Sequence, residues 1–201
     1  DRVAAMRRLC DETPVAPARY GRLVLTAGAA ARIEPAADYQ ADLANLIASM
    51  LSAGLDREAA RWSAVVDDSG DQRAWAMLAV GSPTGGTADG ESLDDYISAH
   101  PGRRSELLVA ALAGLGRLEG DAQARQVGLD LGQRDRWSDA LDAAVRARQP
   151  GTVALLVAVG MQTGGWGGVP PRNLYRSVAA LRAVNMEFEA RMIAAEAIAR
   201  T

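Results

Sequence analysis

The only histidine of the chain, His100, stands in Ser98-Ala-His-Pro-Gly-Arg-Arg104, downstream of Glu91, Asp94 and Asp95. A histidine close to carboxylates is raw material for a metal site, or for a general base held in orientation by an acid. Asp94, Asp95 and His100 therefore form one candidate polar site, suited to a helical enzyme or a small-ligand binder. No second histidine and no cysteine pair completes a zinc-type ligand set. Ser98 stands in no nucleophile elbow, so no catalytic residue, metal or cofactor is assigned. Cys10 follows Arg7 and Arg8, cations that favour a reactive thiolate. Its other reading is a small apolar residue on a helix face.

Two glycine-rich loops pose a different question. Gly81-Ser-Pro-Thr-Gly-Gly-Thr87 returns in altered form as Gly160-Met-Gln-Thr-Gly-Gly-Trp166. Consecutive backbone amides in such loops can cradle an anion. Neither loop carries the phosphate-binding Gly-x-x-x-x-Gly-Lys-Ser/Thr signature, so helix termination is the competing reading. Trp166 sits among glycines with little apolar company, where an indole either folds back onto the chain or anchors a partner. Just beyond it, Arg172, Tyr175 and Arg176 add a basic and aromatic surface for an acidic peptide. Glu187, Glu189 and Glu196 interleave with the nearby arginines and can pair with them in solvent. Trp166, Arg172, Tyr175 and Arg176 are the candidate binding residues.

With a formal charge of −3, the chain has no electrostatic footprint for wrapping nucleic acid. It has no membrane-spanning run. It begins at Asp1, which implies a processed or trimmed chain with any targeting segment lying outside it. Both a cytoplasmic and an exported location fit. One cysteine excludes an intramolecular disulfide without deciding the compartment. One Phe, four Trp and four Tyr leave an apolar fraction built on Ala, Leu and Val. That composition favours close-packed helices over a sheet.

The elements follow from apolar spacing. Residues 1–37 are weakly patterned and read as an N-terminal helical or irregular extension. Pro14 and Pro17 end a first short helix, and Leu23 to Ala31 read as a helix or a brief strand. Residues 38–201 read as a helical repeat-like domain. Leu43, Leu46, Ile47, Met50 and Leu51 mark one helix face. Gly54 supplies a left-handed stop and Asp56 a cap for the next helix, which carries Ala59, Trp62, Ser63 and Val66. Trp75, Met77, Leu78 and Val80 make a third segment. Thr84 to Gly102 reads as loop with a short helix over Leu93 to Ile97. Helices are expected over Arg104 to Leu118 and Asp121 to Leu131, and around Trp137, Leu141, Ala144 and Val145. Val153 to Val159, nearly all apolar, reads as a buried helix or alternatively a short strand. Asn173 is expected to cap a helix from Leu174 to Val184. Asn185 then makes a left-handed turn before a last helix, Glu187 to Arg200.

The turns at Gly54 and Asn185 share a left-handed residue, an apolar follower and a Glu-Ala pair, and Gly114-Leu-Gly116 gives a looser third version. Ala79-Val-Gly-x-x-Thr-Gly-Gly likewise matches Ala158-Val-Gly-x-x-Thr-Gly-Gly. The echoes recur at uneven intervals. The expected fold is all-α, an irregular α-solenoid or duplicated helical bundle made of antiparallel αα-hairpins. The hairpin segments, roughly 38–81 and 104–200, resemble the broad tetratricopeptide-like superhelical class. That resemblance implies a scaffold that presents a helical groove to another protein or peptide. The functional expectation is a non-enzymatic interaction module, with the small-ligand binder or enzyme at Asp94, Asp95 and His100 as its alternative. A homo-oligomer is compatible with the Ala-rich terminal helices.

Overall fold

The computed structural model describes the backbone of residues 2–11 and 16–201, and the side chains of residues 3–8 and 20–201. Among the described residues the protein is all-helical, with 13 α-helices and no strand. In chain order they are α1 (Arg2–Asp11), α2 (Ala16–Ala30), α3 (Leu43–Ser52), α4 (Asp56–Ala60), α5 (Ser63–Ser69), α6 (Gln72–Gly81) and α7 (Gly90–Ala99). Then follow α8 (Arg103–Leu115), α9 (Ala122–Gln126), α10 (Arg136–Arg146), α11 (Pro150–Gly160), α12 (Pro171–Ala183) and α13 (Glu187–Ala199). Short 3-10 turns occupy Ala37–Asp42 and Trp166–Gly168. No helix is long and apolar enough to cross a membrane among the described residues.

The core forms where apolar faces meet. Leu43, Leu46, Ile47, Met50 and Leu51 of α3 are all buried, as their spacing requires. Helix α3 packs against α2, α6 and α13, and α8 lies along α12. Ala- and Gly-rich faces let these backbones come close. A Cβ on Gly114 of α8 would collide with the Tyr175 carbonyl and the Val178 side chain of α12. Between α2 and α3, Ser49 Oγ donates to the Leu23 carbonyl at 2.6 Å and lies 2.9 Å from Thr26 Oγ1, so the buried hydroxyls are satisfied. Arg7 Nε of α1 donates to the buried Asp42 carboxylate at 2.8 Å.

The left-handed turns appear where sequence places them. Gly54 has φ 74°, and the Leu55 amide returns to the Met50 carbonyl at 2.9 Å. Asn185 has φ 64°, and the Met186 amide returns to the Leu181 carbonyl at 2.9 Å. These are six-to-one bonds of the Schellman type, which close a helix end. The turns also meet in space, because the Phe188 ring covers Gly54 and the Arg182 guanidinium lies against Gly116.

Several boundaries differ from the sequence reading. Asp56 is the first residue of α4 and caps nothing by the expected geometry. Its carboxylate instead takes a 2.7 Å hydrogen bond from Arg191 Nη1, in a buried ion pair. The helix expected through Trp62 is split into α4 and α5 around a buried Trp62. Helix α7 is longer than the Leu93 to Ile97 segment because Asp89 caps it, accepting from the Ser92 amide at 2.8 Å. Helix α9 is much shorter than Asp121 to Leu131, since Gly128 takes φ 70° and turns the chain away. Asn173 lies inside α12, with Pro170 at the cap position, and its Nδ2 donates to the Gly160 carbonyl at 2.9 Å.

Candidate functional site

The repeated glycine motif has a packing meaning at its first glycine. Gly81 ends α6 and Gly160 ends α11. In place of a side chain, Gly81 receives Leu51 and Gly160 receives the Trp137 indole. Each carbonyl is then taken by a donor from later in the chain. Arg191 Nη1 reaches the Gly81 carbonyl at 2.7 Å, and Asn173 Nδ2 reaches that of Gly160. Helix-end carbonyls have no partner within the helix, and a cation there also meets the negative end of the helix dipole.

After these glycines the loops diverge. The first is filled from inside by Arg117, which donates to the carbonyls of Ala79 and Ser82 at 2.8 Å each. Burial pushes the Arg117 guanidinium below its ordinary pKa, and the nearby charge of Arg191 adds to that. Among the described residues the second loop has no such plug, and Gly164, Gly165 and Gly167 face open space.

Trp166 projects from this open loop and is half-buried. Its Nε1 stands 3.5 Å from Glu196 Oε1 on α13, and Arg200 Nη1 holds the same oxygen at 2.5 Å. The Arg200 guanidinium lies 4.8 Å from the centre of the Tyr20 ring on α2, a cation–π distance. Burial raises the Tyr20 hydroxyl pKa, and the Glu196 charge raises it further. Together with Met161, Thr163 and Val169, the residues Trp166, Glu196 and Arg200 line a shallow hollow of about 230 Å3.

Arg172, Tyr175 and Arg176 stand on the first half of α12 and point elsewhere. Arg176 Nη2 donates to the carbonyls of Leu131 and Gln133 at 3.2 Å each, and Arg172 Nη1 donates to Gln133 Oε1 at 2.8 Å. Arg176 also lies 5.6 Å from the Tyr175 ring centre. The two arginines thus hold the segment that follows α9, and none of the three lines the Trp166 hollow.

The alternative polar site is also divided. Asp95 joins Val66, Asp67, Asp71, Trp75 and Ser92 around a hollow of about 370 Å3. Asp94 is exposed and lies 3.5 Å from Gln123 Nε2. His100 stacks on Tyr96, with ring centres 4.5 Å apart, and its Nδ1 sits 3.2 Å from the Tyr96 carbonyl. It does not line the Asp95 hollow. Among the described residues no group of three or more His, Cys, Asp or Glu is placed to hold a metal ion. The Cys10 side chain lies outside the described residues.

One surface was missed by sequence reasoning. Helix α11 is apolar almost throughout, yet only Val153 and Val157 of it are buried. Leu155 is 71% exposed and Val159 55% exposed, one turn apart on the same face. The expected buried helix is therefore a helix with one buried and one open apolar face. The signal was in the sequence: no Asp, Glu, Lys or Arg occurs from Gln149 to Gln162, immediately before the Trp166 loop. Sequence alone ascribes such a run to the core, because nothing in it tells how many neighbours the helix has.

No known protein family, curated protein or solved structure matches the chain.

Proposed function

We propose that this protein is a non-enzymatic interaction module that docks another protein or peptide along the open face of α11 and the Gly/Trp-rich loop following it. The observation that carries this reading is the exposure of Leu155 and Val159 on an uncharged helix. Exposed large apolar side chains grouped on one element mark interaction surfaces, whereas isolated ones need no explanation. Trp166 extends the surface past the end of α11, with Met161 at the helix end and the indole sharing one hollow. The scaffold in this reading is an irregular stack of antiparallel αα-hairpins, supported by the left-handed turns at Gly54, Gly116 and Asn185. Arg172, Tyr175 and Arg176 then serve the scaffold by restraining the loop at 131–133.

The test is affinity capture with mass spectrometry from native extract, run with wild type, Leu155→Glu/Val159→Glu and Trp166→Ala. The expected outcome is a partner recovered by wild type and lost by both variants, with helical content and melting temperature unchanged. Equal recovery by all three proteins would remove the reading. A second reading, a small-ligand binder, draws on the 370 Å3 hollow where the Trp75 indole meets Asp67, Asp71 and Asp95. Its ligand is a compact organic cation, attracted by carboxylates and by an aromatic face. Calorimetric titration with organic amines against wild type and Trp75→Phe/Asp95→Asn decides it, and absence of saturable heat rejects it.

A further inference from the structure

We infer that the partner of the α11 face is an acidic, apolar peptide segment, whose carboxylates meet Arg146 and Arg148 and whose apolar residues run along Leu155 and Val159 toward the Trp166 hollow. The inference rests on the reading of α11 as a docking face and adds the chemistry of what docks there. The face itself is uncharged, so selection by charge lies at its ends. At the end of α11 the signs offset each other, because Arg136 stands next to the exposed Asp135 and Arg134 is held by Asp139. At its start they do not. No Asp or Glu occurs from Ala143 to Met186, a stretch that contains Arg146, Arg148, all of α11 and the Trp166 loop. The last acid before it, Asp142, is taken by Arg134 and Arg176. Arg146 and Arg148 are exposed, and neither guanidinium has an ion-pair or hydrogen-bond partner among the described residues. A carboxylate from outside the chain is the complementary group.

The backbone at Arg148 points the same way. Arg148 takes φ 52° and closes α10, with the Gln149 amide returning to the Ala144 carbonyl at 3.0 Å. The same closure is made at Gly54, Gly116 and Gly128 by glycine and at Asn185 by asparagine, residues that enter the left-handed region at low cost. An arginine at such a place carries a backbone cost that glycine escapes, while its side chain gains no contact within its own chain. Residues held in sparsely populated backbone cluster at binding sites.

Geometry then sets the spacing within the peptide. Gly151, Thr152, Leu155, Ala158 and Val159 are exposed and fall on one side of α11, an uncharged strip. The helix has 11 residues and spans roughly 16 Å. Past its end lies the hollow of about 230 Å3, where Glu196 and Arg200 already neutralise each other, so the side chain it takes is uncharged. The peptide therefore carries its acids roughly three helical turns from an apolar anchor. A concave site of this size suits a single side chain, a shape that the surface of a bilayer does not fill.

Selection of a random displayed-peptide library on wild type should enrich sequences with acids at one end of an apolar run. Fluorescence anisotropy with an enriched peptide then tests the contacts. Arg146→Ala/Arg148→Gly should weaken its binding about fivefold at low salt, a difference that added salt reduces. Arg57→Ala, which removes an exposed arginine on α4, should leave binding unchanged. Arg148→Gly alone should melt no lower than wild type, since glycine suits the left-handed turn, so its weaker binding is not a loss of fold. Leu155→Glu/Val159→Glu should abolish binding. Enrichment of basic or uncharged peptides that need Leu155 and Val159 but ignore Arg146 and Arg148 overturns the inference and leaves the docking face standing. No enrichment, or peptides still bound by Leu155→Glu/Val159→Glu, removes both. Wild-type binding to phosphatidylserine vesicles that is lost in Arg146→Ala/Arg148→Gly, with no peptide enriched, overturns the peptide in favour of an anionic membrane.

Discussion

The chain has no lysine, so apart from His100 its basic side chains are all arginines, and several place their donors on backbone carbonyls. Arg117, Arg182 and Arg191 reach the ends of α6 and α8, at Ala79, Gly114 and Gly81 respectively. A planar guanidinium with five donors can bind several acceptors in one orientation, which an ammonium group cannot match. The carboxylates act at the opposite helix ends. Asp135 accepts from the Ser138 amide at 2.8 Å, while Ser138 Oγ accepts from the Asp135 amide at 2.8 Å, completing a capping box at α10. The bond from the Ser138 amide holds the Asp135 pKa below its ordinary value. Protonation is thus harder in the folded state than in the unfolded one. The resulting stabilisation is full above the unfolded carboxylate pKa and disappears as pH falls through the lower, folded value. At pH 7, Asp135→Ala should lower unfolding free energy by about 1 kcal/mol. Asp135→Asn, which keeps an acceptor, should cost less and should flatten the acid limb of the stability profile. Urea titrations from neutral pH to below pH 4 check both expectations.

Helices α3 and α11 show what apolar patterning reveals and what it leaves open. In α3 the apolar residues form a stripe, the stripe is buried, and sequence identifies its members. In α11 nearly every position is apolar, so periodicity cannot distinguish a core face from an exposed one. Boundaries failed for a related reason, since long-range donors and acceptors decided them. Asp56 was drawn to Arg191, and Asn173 to the Gly160 carbonyl, partners far away in sequence. Beyond α9, Leu129 and Leu131 continue an apolar rhythm. Gly128 nevertheless turns the chain, and Arg176 holds the carbonyls of Leu131 and Gln133 outside a helix. The two helices should answer the same substitution differently. Leu46→Ala removes a fully buried side chain and should cost about 2–5 kcal/mol. Leu155→Ala should stay within about 0.5 kcal/mol of wild type, as expected for exposed positions away from special features. Chemical denaturation of both variants makes the comparison, and a large loss at Leu155 would show that its face is covered within the monomer.

At the scale of the whole molecule, the left-handed turns gather at one place through the contacts of Phe188 with Gly54 and Arg182 with Gly116. The binding candidates named from sequence are dispersed by the fold. Trp166 faces Glu196 and Arg200, the α12 arginines face their own chain, and Asp95 is separated from His100. Residue type could identify each as chemically capable, but the convergence of side chains depends on helix packing that no single stretch encodes.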